Sequence, residues 1–156
     1  MDNPIAELLS KLDHKTLVIW ATDCAQHALP YFEEKYTKDN RPRKAIQAGR
    51  AWIRGEIAMS EARTAAFAAH AAARDANPDA ARAAARAAGH AAATAHVAGH
   101  AVHAATYAAR AAGHTVDSID VDAAIAKERD WQYQQLLNLR VSDRVGGMKC
   151  NSPPQM

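Results

Sequence analysis

The chain has 156 residues, enough for one domain with an adequate core, and a hydrophobic content of 49% places it with globular rather than disordered proteins. Alanine makes up about a quarter of it, with only two Phe and three Trp, so an all-α fold is favoured and β-branched alternation is nearly absent. A formal charge of +2, without an aromatic-interleaved basic stripe or Cys/His finger spacing, excludes an obvious nucleic-acid partner.

The N-terminal MDNPIAELLSKLDHK shows no basic region followed by an apolar run, and no apolar stretch reaches the ~20 residues of a bilayer span, so no membrane role is expected. Asn3 and Pro4 open a short amphipathic helix in which Ile5, Leu8, Leu9 and Leu12 recur at helical spacing. Asp13 is placed to cap a second helix, KTLVIWATDCAQHAL, with Leu17, Trp20, Cys24 and either His27 or Ala28 on its buried stripe. Pro30 ends or redirects that helix, and YFEEKY adds a turn or two anchored by Phe32. Cys24 and Cys150 form neither a disulfide framework nor a CxxC, the pattern of a reducing cytoplasm. Cys24 reads as a buried, inert thiol rather than a nucleophile, because a helical neighbour such as His27 supplies no substrate pocket.

KDNRPR is a breaker, with Asn40 and Pro42 supplying turn and N-cap chemistry before RKAIQAGRAWIRGE. Ala45, Ile46, Gly49, Trp52 and Ile53 form the apolar face of that helix, and Gly55 closes it. Arg41 and Arg43 oppose the dipole at a helix start unless carboxylates hold them, and Asp23, Glu33 and Glu34 are the candidates. Ser60 and Glu61 open the next helix, on which Arg63, Phe67, His70 and Arg74 share one side.

Residues 77–113 read as one long helix, capped by Asn77, started by Pro78 and Asp79, and closed by Gly113. Unbroken, it would run for roughly 35 residues and about 50 Å, with Gly89 and Gly99 as the places to bend or split. On its wheel His100, His103, Tyr107 and Arg110 lie within about 40° of His96, opposite a face of Thr94, Ala98, Ala101, Val102, Ala105, Ala109 and Ala112. The alanine face packs the bundle, and the ridge meets water or a polar cleft. His96, His100 and His103 are the candidate metal ligands, since histidines four apart on a helix can chelate one ion and His70 or Asp23 can complete the set; a hydrogen-bonded polar ridge is the alternative. No HExxH, Glu-x-x-His, GxSxG, P-loop or GxGxxG is present, and nothing in the chain demands an enzyme. A final helix starts near Ser118 or Asp120 with Val121, Ile125, the neighbourhood of Glu128, Trp131 or Gln132, and Leu136 on its stripe. Residues 1–141 are expected to form a single bundle domain and 142–156 a flexible tail.

The strings WATDCAQHALPYFEEKYTKDNRPRKAIQAGRAWIRGE, RTAAFAAHAAARDA, ARAAGHAAATAHVAGHAVHAATYA and ERDWQ resemble the immunity proteins of bacterial polymorphic toxin systems, over roughly Leu17 to Gln135. The matching positions are Trp20, Asp23, Cys24, Leu29, Pro30, Phe32, Glu33, Arg41, Pro42, Arg43, Ala45, Ile46, His96 and His100. The resemblance implies an all-α, cytoplasmic, non-enzymatic protein that binds and blocks a cognate protein toxin, with no cofactor and no catalytic residues. The binding or polar-network candidates are Asp23, Glu33, Arg41, Arg43, His70 and Tyr107. The competing reading is a metal- or small-ligand-binding helical protein, with a divalent metal as its cofactor and the histidine ridge as its site. Alanine faces also build helical dimers, which leaves a homo-oligomer open.

Overall fold

A computed structural model describes residues 4–150, with the side chains of residues 5–140. The described chain is all-α: α1 (Pro4–Leu9), α2 (His14–Ala28), α3 (Pro30–Glu33), α4 (Arg41–Ile53), α5 (Met59–Asp75), α6 (Asp79–Ala93), α7 (His100–Gly113), a 3-10 turn (Ser118–Asp120) and α8 (Val121–Cys150). The α8 backbone thus continues to Cys150, while residues 151–156 of the expected tail lie outside the described residues. None of the helices is long and apolar enough to cross a membrane, among the described residues.

Local chemistry explains most boundaries. The Asp13 carboxylate accepts the Thr16 N–H at 2.8 Å, the N-cap expected for α2. Gly55 takes φ +74°, the left-handed conformation that ends α4 without a Cβ penalty. Asn40 precedes α4 but its side chain makes no cap; Asp39 instead accepts the Arg41 N–H at 3.1 Å. Asn77 likewise does not cap α6. Its N–H donates to the Tyr36 hydroxyl and its carbonyl accepts from it, both at 2.7 Å, and the helix starts at Asp79.

The single helix expected over 77–113 is two helices. α6 stops at Ala93 and the chain turns through 94–99, so that α7 runs back along it. Thr94 closes the end by donating its hydroxyl to the His90 carbonyl at 2.8 Å, while its own carbonyl accepts from the His14 ring at 2.6 Å. Of the two glycines proposed as break points, Gly99 lies at the break and Gly89 is buried inside α6. Alanine supplies the reason for the reversal: each side chain buries little area at roughly 25 cal/mol per Å², so the gain comes from bringing two such helices close together.

α6 is the centre of the bundle. Ten of its fifteen residues are buried, and it packs against α2, α3, α4, α5 and α7. The larger core side chains come from elsewhere, with Trp20, Leu29, Phe32, Ile46 and Leu136 all fully buried. Trp20 donates its indole N–H to the Gln132 carbonyl at 2.9 Å, and the buried Gln132 amide donates to the Ala105 carbonyl at 2.8 Å, tying α2, α7 and α8 together. Buried polar groups satisfied in this way fix a register that an alanine surface alone does not.

Candidate functional site

The reversal at 94–99 places four histidines from three helices in one cluster. His90 of α6 is its centre, with its Nδ1 sharing a hydrogen bond with His100 Nδ1 at 3.1 Å. His70 of α5 meets the His90 ring edge-on, with centroids 4.8 Å apart. His103 and Tyr107 of α7 both lie 5.3 Å from it, Tyr107 stacked nearly parallel at 8°. Gly89 makes this possible, because a Cβ there would stand 2.7 Å from the His70 ring. Burial and neighbouring positive charge favour the neutral form of His70, His90 and His100. Desolvation, then His70, His100, His103 and Arg86, depress His90 to about 3. His70 is lowered by desolvation, Arg86, His100 and Arg74, and His100 by desolvation, His103 and His96. His70 Nδ1 is buried with no hydrogen-bond partner, a cost that the surrounding contacts offset.

The expected ligand set His96, His100 and His103 is not assembled on one helix face. His96 falls in the turn between α6 and α7, exposed, with its Nδ1 3.3 Å from the Met59 sulfur. Among the described residues no group of three or more His, Cys, Asp or Glu is arranged to hold a metal ion. His70 and Tyr107 do join the cluster. Asp23 does not, since it accepts from Arg50 of α4 at 3.2 Å and from Gln135 of α8 at 3.1 Å. His90 was missing from the sequence-based set although it is the cluster's hub.

Around the cluster, the outer sides of α5, α6 and α7 form a face with an unusual treatment of charge. Arg63 lies over the exposed Phe67 ring at 5.4 Å, and Arg110 over Tyr107 at 5.0 Å. Arg74 and Arg86 sit between them on α5 and α6. Among the described residues no carboxylate lies within ion-pair distance of Arg63, Arg74, Arg86 or Arg110. Met59 and Val97 add exposed apolar surface at the end of this face. Arg, Tyr, Phe and Met are the residue types that concentrate in protein interfaces.

The remaining candidates lie in contacts between helices. Arg43 makes a two-pronged pair with Glu33, at 2.6 and 2.7 Å, as one of the expected holders. Arg41 takes neither Asp23, Glu33 nor Glu34; it pairs with Asp39 at 2.7 Å and reaches Asp75 at 3.4 Å, joining the α4 start to the α5 end. Asp39 is held below the ordinary carboxylate range chiefly by its hydrogen bond from Arg41. His27 of α2 contacts Glu128 of α8 at 2.7 Å and stacks on Trp131 with centroids 3.8 Å apart. Cys24 is fully buried and its thiol is pushed well up by desolvation, which leaves no reactive thiolate at neutral pH.

No curated protein and no solved structure matches the chain. A family model does, across all but the ends of the described bundle, and it fits both the all-α architecture and the resemblance carried by the tryptophan, proline and arginine motifs. The chain belongs to the family described as Imm-5 like putative immunity protein, whose model matches residues 7–139.

Proposed function

We propose that the protein neutralises a cognate toxin of a bacterial polymorphic toxin system by direct binding in the cytoplasm of the cell that makes it, and that the α5–α7 face is the surface it uses. Family membership supports an immunity role with a protein partner. The observation that carries the choice of face is the set of four arginines without carboxylate partners beside exposed Phe67 and Met59. Leaving guanidinium groups unpaired suits a protein that meets an acidic surface, because complementary charge speeds encounter and selects the partner. No catalytic step is needed: blocking requires only that the toxin's working surface be covered.

Co-expression with the toxin encoded beside it tests the proposal. The expected result is rescue of growth together with a stable complex on purification, both weakened by Arg86→Glu. Rescue that is unaffected by charge reversal anywhere on α5–α7 would move the interface elsewhere, and absence of both rescue and complex would remove the immunity reading for that toxin.

The metal- or ligand-binding reading retains one supporting observation, the convergence of His70 with His100 and His103 about His90. Elemental analysis of purified, untagged protein tests it. Near-stoichiometric metal that is lost in His100→Ala supports this reading, and metal-free, folded, active protein removes it.

A further inference from the structure

We infer that the notch between the start of α6 and the end of α7 is a binding site for a small oxyanion of the carboxylate or phosphate class, held by Arg82, Arg86 and Arg110 with Tyr107 at its wall. The notch encloses about 120 Å³ and is lined by Asp79, Arg82, Ala83, Arg86, Tyr107, Arg110 and His114. Three arginines therefore line a volume suited to a few heavy atoms.

What distinguishes these arginines is that the closest contacts of two of them are to neutral groups. Arg82 donates through Nε and Nη2 to the Ala76 carbonyl at 3.3 and 3.1 Å, a neutral acceptor. Arg110 rests on the Tyr107 ring at 5.0 Å, and that ring is itself stacked on His90. Arg86, half-buried between them, has no carboxylate within ion-pair distance among the described residues. The one acid at the rim, Asp79, lies 3.9 Å from Arg82 and is largely exposed, so it screens the notch weakly.

Planar, forked guanidinium donors match the two oxygens of a carboxylate or the oxygens of a phosphate, and prior fixation reduces the side-chain entropy lost on binding. Two exposed arginines elsewhere in the chain have such an oxygen pair already, Arg43 in Glu33 and Arg54 in Glu56. In the notch that place is open to a ligand.

The test is an NMR titration of arginine Nε–Hε signals with inorganic phosphate and, separately, with acetate, each against sodium chloride of equal ionic strength. A saturable shift at Arg86 and Arg110 is expected with at least one probe, its affinity weakened about tenfold or more by Arg86→Gln and by Arg110→Gln and unchanged by Arg54→Gln. Arg86→Lys retains the charge without the fork and provides the same test if a Gln variant does not fold. Shifts equal to those in chloride, or shifts that persist in the Arg86→Gln, Arg110→Gln double variant, would overturn the site.

Discussion

The α2–α4 side of the molecule and the α5–α7 face treat arginine in opposite ways. On the first, Arg41, Arg43, Arg50 and Arg54 each meet a carboxylate within 3.2 Å. On the second, Arg63, Arg74, Arg86 and Arg110 meet none among the described residues, and two of them lie instead over aromatic rings. The same residue type thus joins elements on one side and presents positive charge on the other. Partly exposed pairs of the first kind contribute only ~0–1 kcal/mol each, so their use lies more in orienting α3, α4 and α5 than in stability. The net charge of +2 thus hides a strongly uneven distribution, and it is the distribution that points to a partner.

Disrupting the scaffold side should have the largest effect on stability. Trp20→Ala removes a fully buried ring and the hydrogen bond to the Gln132 carbonyl, and should cost about 3–5 kcal/mol by chemical denaturation. Arg86→Gln, by contrast, should change stability by no more than about 0.5 kcal/mol, since that guanidinium has no carboxylate to lose.

Acid should weaken the face next. In the folded chain His90 takes its proton only near pH 3, whereas in the unfolded chain it does so near 6.5. Between those values the unfolded state binds more protons, so the stabilisation is complete above pH 6.5 and is lost as pH falls toward 3. His70 and His100 act in the same direction. The groups facing this cluster are His70 and Arg74 from α5, Arg86 from α6, and His100 and His103 from α7, all cationic or able to become so. Because the cluster is only half-buried, a loss of about 2 kcal/mol is expected after allowance for solvent screening. Denaturation curves between pH 7 and 4 measure it, and His90→Gln should flatten the profile.

A smaller effect isolates the packing of the cluster. Gly89→Ala places a methyl group against the His70 ring, which must swing outward, while the helix gains about 1 kcal/mol of propensity. Stability should therefore change by less than about 1 kcal/mol, but the His70 titration observed by NMR should return upward toward 6.5. A His70 titration identical to that of the wild type would show that the glycine does not control the cluster.

Much of the scaffold was legible in the sequence because its signals are local. Asp13 three residues before Thr16, Pro30 after an amphipathic run and Gly55 after an apolar stripe each act within a turn of chain, and the structure places boundaries at all three. The site was less legible because it depends on one reversal. If 77–113 is drawn as a single helix, His90 lies about 120° from His96 and off the ridge. Once the chain turns back at Thr94, His90 faces His100 and His103 instead, and His96 is left in the turn. The interruption of the alanine run by Thr94, Val97 and Gly99 was the signal that marked the break. The partner of Asp23 was not readable, because Arg50 is as suitable by chemistry as the bases nearer in sequence and only packing selects it, whereas the chief partner of Arg41 is Asp39, two residues away in the breaker itself.

The most direct test of the central claim is affinity for the purified cognate toxin, measured by calorimetry for the wild type, for Arg86→Glu with Arg110→Glu, and for Arg43→Gln with Arg54→Gln. The α5–α7 double reversal should weaken binding by about a hundredfold or more, with the melting curve little changed, and the paired-arginine variant should bind within about twofold of wild type. Equal affinity for all three proteins would contradict the assignment of the unpaired-arginine face to the toxin.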